Sequence, residues 1–300
     1  MDSLTFLKLM NVGITVFFFA IGSIIASFWA LVAARLQEGR GWVKGRSECD
    51  YCRHLICWWQ NIPVLSYLFL RGRCHYCHRR IKASYFIWEC LLGLWTVVWL
   101  WYLSPLAPYA DQTSLAIRPP FFSVPGNLLA LLQSLLFLCL GAVLLWTALV
   151  DLQTQEIADG WLWTVLALTV AKYGLDLGYG SLSLGQIGPV LLRSLGVGAV
   201  FWVLDWVARR IWKRPGIGLG DTLMVMLLAW WLPSVGELAV MFLLAFWLGA
   251  IVGLLILGFA KLGRVKKQPT IAFLPFINLA FLLSCFWGQQ LSAWILGLNG

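Results

Sequence analysis

Eight stretches of this chain are apolar for most or all of the length a membrane helix needs, and that pattern constrains the fold more than any motif. They run roughly over 6–34, 84–103, 127–150, 160–177, 187–208, 221–232, 238–260 and 271–298. A spanning helix takes about 20 apolar residues, because backbone polar groups in lipid must be satisfied within the segment itself. The sixth stretch is short, and Pro233 either ends it or lies inside a longer span. Composition agrees: 61% of the residues are hydrophobic and 12% charged, against about 45–50% and about 25% in soluble domains. The 19 Trp and 8 Tyr suit the two interfaces of a bilayer. The first stretch contains only Lys8 and ends in Arg35. Its core is too long and its charge is on the wrong side for a cleavable signal peptide, so it reads as a retained helix.

The net charge of +9 does not point to nucleic acid, because the bases are sorted among the loops. Eight spans put loops 35–83, 151–159, 209–220 and 261–270 on one side. These hold 10, none, 4 and 4 of the 22 Lys and Arg; the others are Lys8, Arg118, Lys172 and Arg193. The positive-inside rule places these loops in the cytoplasm and both termini outside. The expected fold is an all-α polytopic membrane protein of about eight transmembrane helices with a cytoplasmic four-cysteine zinc-binding insertion. Residues 1–34 form the first helix, 35–83 the insertion, and 84–300 a bundle.

The insertion carries Cys49-Asp50-Tyr51-Cys52 and Cys74-His75-Tyr76-Cys77, with 21 residues between the pairs. Two C-x-x-C knuckles so spaced suit a tetrahedral, structural zinc site. The alternative is two disulfides or four unrelated thiols, and disulfides are disfavoured in the cytoplasm. Cys57, Cys90, Cys139 and Cys285 lie in apolar sequence and read as small buried hydrophobes. His54, His75 and His78 read as surface residues.

Acids in a membrane are costly and usually functional. Asp205 has Arg209 four residues on, and an i,i+4 ion pair accounts for it. Glu89 is about five residues into its span, where a structural partner and a functional role are equally compatible with its depth. Asp151 ends the third span, and Asp221 opens the sixth after Gly216-Ile217-Gly218-Leu219-Gly220. The two aspartates thus lie at one depth on one face. Carboxylates held together share a proton, so one can activate water while the other protonates a leaving group. Gly218 and Gly220 either let an extended substrate approach the backbone or form a turn with Asp221 as helix cap.

These residues resemble the type IV prepilin peptidases, an intramembrane aspartyl protease family. The likeness runs over Gly22-Ser23, Arg35-Leu36, Asn61-Ile62-Pro63-Val64-Leu65-Ser66-Tyr67 and Arg71-Gly72-Arg73-Cys74. It continues through Tyr85 and Glu89, Asp151 to Asp159, Gly218-Leu219-Gly220-Asp221 and Phe273-Leu274-Pro275-Phe276. The resemblance implies Asp151 and Asp221 as the catalytic pair, with Gly218, Gly220, Asp159 and Glu89 supporting substrate or backbone. It implies prepilin or pseudopilin substrates cut between a short basic leader and a hydrophobic helix. It also implies N-methylation of the new N-terminus from S-adenosylmethionine. Ala26 stands where the family has Asn, Ala158 where it has Pro, and Leu223 where it has Lys.

A basic leader needs acids to receive it, and Glu156, Asp159, Glu38 and Glu48 are candidates. Two other readings remain. A non-enzymatic scaffold would use the zinc module to bind a secretion partner. A transporter would line a pathway with polar residues, of which the spans carry few.

Overall fold

A computed structural model describes residues 3–37, 46–103, 128–154, 159–213, 217–261 and 272–296. Among these residues the regular structure is helical, apart from two isolated bridges, Glu48 with Leu55 and Arg73 with Arg80. The chain divides into two compact units, Met1–Trp101 and Tyr102–Gly300.

The first unit holds α1 (Ser3–Gln37), a 3-10 turn (Trp58–Asn61), the short α2 (Leu65–Phe69) and α3 (Ala83–Val98), which continues as a π-helix to Leu103. Helices α1 and α3 pack closely because glycines face each other's helix. A Cβ on Gly22 would stand 2.6 Å from Leu92 O, and one on Gly93 would stand 2.6 Å from Ser23 Oγ. Small residues are what membrane helices use to bring backbones together, since lipid supplies little hydrophobic drive between helices. Side-chain donors close the gap. Trp88 Nε1 reaches Ala26 O at 2.8 Å, Thr96 Oγ1 reaches Phe18 O at 2.8 Å, and Ser23 Oγ reaches Glu89 O at 3.0 Å. Ala26 is fully buried in this crossing.

The second unit holds α4 (Leu128–Thr154), α5 (Asp159–Gly178), α6 (Leu184–Trp212), α7 (Leu219–Leu228), α8 (Val235–Lys261) and α9 (Leu274–Leu296). Helix α4 lies against α5 and α9, α9 pairs with α8, and α7 packs on α5 and α6. Phe137 of α4 centres the core, with Trp231 at 6.2 Å and Phe281 at 6.5 Å between ring centroids.

Each of the eight apolar stretches meets a helix. Six are long and apolar enough to cross a membrane: Leu9–Val32, Ala83–Trp101, Leu128–Leu152, Leu184–Ile211, Val235–Gly258 and Leu274–Ile295. The other two depart for physical reasons. Helix α5 carries Asp159, Lys172 and Asp176 within 20 residues. Helix α7 has ten residues, about 15 Å at 1.5 Å per residue, half of a bilayer core.

Candidate active site and cysteine cluster

Asp151 sits in the last turn of α4 and is buried, 5% exposed. Its Oδ2 accepts the Leu274 N–H at 3.2 Å, so the amino end of α9, with its positive dipole and free amides, meets this carboxylate. One turn deeper, Asn278 Nδ2 donates to Leu144 O at 2.8 Å and to Thr147 Oγ1 at 3.1 Å. That amide fixes how far α9 slides along α4, and therefore where Leu274 meets Asp151.

Asp221 lies in the first turn of α7, half-buried. The backbone of Gly218, three residues earlier at the helix cap, lies beside its carboxylate. Gly218 caps the helix in an extended conformation (φ −69°, ψ 148°) that needs no unusual dihedral. A Cβ there would stand 3.4 Å from Asp221 Oδ2, in ordinary van der Waals contact with the carboxylate. Gly220 occupies the same first turn. Asp151 is near enough to Asp221 for one charge to act on the other. Asp159, first residue of α5, is exposed.

Asp205 forms the expected ion pair with Arg209 at 2.6 Å. It also accepts the Ile217 N–H at 3.2 Å, tying α6 to the segment that leads into Asp221.

The far end of α7 is held by side chains. Ser194 Oγ donates to Met226 O (2.8 Å), Arg193 Nη2 to Ala229 O (2.7 Å) and Tyr173 OH to Trp230 O (2.8 Å). A helix that stops inside the protein leaves carbonyls unpaired, and these donors from α5 and α6 satisfy them. Nearby α5 carries a buried pair, Lys172 Nζ to Asp176 Oδ2 at 2.9 Å, which Gln133 joins at 2.6 Å. Glu237, at the start of α8, is 2% exposed. The sequence reading passed over Asp176 and Glu237 as intramembrane acids and took the spans as nearly bare of polar groups. The cluster is 18 residues along α4 from Asp151 at Gln133, about 27 Å.

In the first unit, Glu89 is no isolated acid. Its Oε2 accepts the Val64 N–H at 2.7 Å. Val64 has φ 62° and ψ −54°, and the Leu65 N–H turns back to Pro63 O at 2.6 Å. This is a γ-turn in a region that a β-branched residue rarely enters, and Glu89 holds it. Beside it lies a cavity of about 430 Å³.

The four cysteines converge. The sulfurs of Cys49, Cys52, Cys74 and Cys77 all lie within 4.8 Å of one another, and Cys49 and Cys77 are 3.9 Å apart. A tetrahedron with Zn–S bonds of about 2.3 Å has edges of about 3.8 Å, so the set fits one ion with little movement. The knuckles repeat one backbone path. Cys49 N–H donates to His54 O and Cys74 N–H to Arg79 O; Cys49 O accepts from Arg53 and Cys74 O from His78. Arg53 (φ 58°) and His78 (φ 55°) both turn left-handed. A backbone hydrogen bond at His54 draws the Cys52 thiol down, but desolvation and the Cys49, Cys77 and Cys74 sulfurs outweigh it and push it up to about 11. Four thiolates can coexist here only with a cation among them.

His54, His75 and His78 are exposed, and the His54 ring lies tilted by 39° against Tyr76, with centroids 3.6 Å apart. Of the remaining cysteines Cys285 is buried, but Cys139 is exposed on α4, which corrects its reading as a core residue. Glu48 pairs with Arg53 at 2.9 Å. Glu38, Glu156 and Ala158 lie outside the described residues.

Comparison with known proteins agrees with the sequence likeness. Residues 20–103 match the bacterial peptidase A24 N-terminal domain. The prepilin leader peptidase/N-methyltransferase of Aeromonas hydrophila is 29% identical over 253 residues, covering 84% of this chain and 74% of that protein. That of Burkholderia pseudomallei strain 1026b is 30% identical over 251 residues, covering 81% and 67%. That of Pseudomonas putida is 27% identical over 247 residues, covering 82% and 74%. No solved structure matches. With that extent of shared sequence, the chain belongs to the prepilin leader peptidase/N-methyltransferase family.

Proposed function

We propose that this protein is an intramembrane aspartyl endopeptidase that removes the short basic leader of type IV prepilins or pseudopilins, with Asp151 and Asp221 as its catalytic pair. The observation that supports this best is that two acids, near enough for one charge to act on the other, each lie at a helix amino end: Asp151 under the first amide of α9 and Asp221 in the first turn of α7. With one proton between them, one carboxylate takes a proton from the attacking water and the other gives one to the leaving amine. The Leu274 amide helps hold Asp151 still while the proton moves. The sorting of 18 of the 22 bases into four loops supports a cytoplasmic face of a bacterial inner membrane for this end of the bundle. Zinc at the four cysteines plays a structural part, since four protein ligands leave no open position.

S-adenosylmethionine would supply a transferable methyl group for the new N-terminal amine. The first-unit cavity fits such a donor in size and in chemistry. If bound there, the donor would have Glu48, Asp50 and Glu89 among the cavity lining to balance its positive charge, with Tyr51, Tyr76 and Arg79 as further lining groups for its ring and carboxylate.

The test is cleavage of a prepilin-like substrate by purified protein, wild type against Asp151→Asn and Asp221→Asn. Both variants, folded, should lose cleavage. If either cuts at the normal rate, that aspartate is not catalytic; if wild type cuts nothing, the scaffold reading takes over.

A further inference from the structure

The first unit displays a cluster of apolar side chains. Trp58 is 79% exposed, Leu65 49%, Leu68 56% and Phe69 80%. Leu65, Leu68 and Phe69 are spaced i, i+3, i+4 and share one face of α2. A surface in water rarely carries such a cluster without a partner.

The hydrogen bonds set the level of this face relative to the two apolar spans. Val64, at the head of α2, donates to Glu89, which is six residues inside the span beginning at Ala83. That is about 9 Å along the helix. Glu89 is tied to the same level of α1, since Ser23 donates to its carbonyl and Ser23 lies nine residues inside the span that ends at Val32. The start of α2 therefore sits below the level at which α1 and α3 leave the hydrocarbon. Exposed Arg71 and Arg73 follow it. Over residues 46–82 there are seven Lys and Arg against two Asp and Glu.

We propose that the segment from Trp58 to Leu70 is a membrane-interface anchor. Its apolar face rests in the boundary between headgroups and acyl chains of an anionic bilayer, with Arg71 and Arg73 on lipid phosphates. Interfacial helices lie at about 5–10 Å depth, which matches the level that Glu89 sets. Cations near anionic headgroups add attraction, and Trp is at home at that level. The Val64 turn bends the chain down into place.

The test uses the full-length protein in nanodiscs of equal phosphatidylglycerol and phosphatidylcholine. The photoreactive residue p-benzoylphenylalanine replaces Trp58 or Phe69, and in separate controls Leu94, exposed in the α3 span, or Arg53 on the first knuckle. Positions 58 and 69 should give lipid adducts at yields comparable with position 94, enriched in phosphatidylglycerol, while position 53 should give few. Adducts with protein in place of lipid, or none at 58 and 69 while 94 reacts, would overturn the anchor. Equal capture of both lipids would overturn the part given to the arginines.

Discussion

Asn278 shows what a search for charges passes over. A neutral amide inside an apolar run looks unremarkable, yet its two bonds to α4 set the register that brings Leu274 to Asp151. Asn278→Leu should keep the fold while lowering kcat roughly 10- to 100-fold with little change in KM, since sub-ångström slips at reacting groups cost about that much. Steady-state cleavage with circular dichroism on the same sample checks this, and unchanged kcat would remove Asn278 from the site. Asp205 was legible only in part. Its ion pair follows from local i,i+4 spacing, but its second partner, Ile217, is twelve residues away across a turn. Asp205→Asn keeps an acceptor for Ile217 and loses an exposed ion pair worth about 0–1 kcal/mol. Asp205→Ala loses both. The Asn variant should therefore cut nearly as wild type and the Ala variant clearly more slowly, and equal rates would show that the Ile217 contact is idle. By contrast Asp151, Asp221 and the four cysteines stood out in the sequence. Charge at the edge of an apolar run is too costly to be kept idly, and paired thiols at knuckle spacing suit a metal ion above all.

At the scale of elements, the eight stretches were legible within a few residues, because apolar runs of that length in lipid satisfy their backbone as helices. What holds the ends was not. The carbonyls at the end of α7 are satisfied by Ser194, Arg193 and Tyr173 from two other helices, and no pattern within α7 announces those donors. A cation at a helix carboxyl end also suits the dipole. Arg193→Gln should loosen α7, and Arg193→Lys should recover most of the wild-type behaviour. Hydrogen exchange over residues 222–228 reads this directly, with faster exchange expected in the Gln variant alone; equal protection in both would remove Arg193 from the clamp. The Val64 turn was hidden for a similar reason. Its partner Glu89 is 25 residues away, and Pro63 gives no hint that the next residue turns left-handed.

For the whole molecule, the sequence showed a membrane bundle with a cysteine module but not where α3 belongs. That helix groups with α1 and the insertion in the first unit, because Gly22, Gly93, Trp88 and Thr96 bind the two helices together. The cysteine module should depend on its ion for order. Zinc loading must displace protons from the thiols, Cys52 at about 11 among them, so affinity falls as pH falls. Zinc released to a coloured chelator should rise steadily as pH is lowered from about 8 to about 5. The stripped protein should become sensitive to proteases over residues 46–82 while its spanning helices persist. Full resistance after stripping would mean that the module folds without metal.

The contact between Leu274 and Asp151 has a practical consequence. The donor is a backbone amide, so every side chain except proline leaves it in place. An alanine scan would read position 274 only as the loss of a fully buried leucine, and would not report the amide that touches Asp151. Replacing that one amide with an ester, through a hydroxy acid incorporated at 274, would delete the proton while keeping the side chain, at the cost of a weaker Phe273 acceptor, and would expose the dependence that mutational maps are blind to.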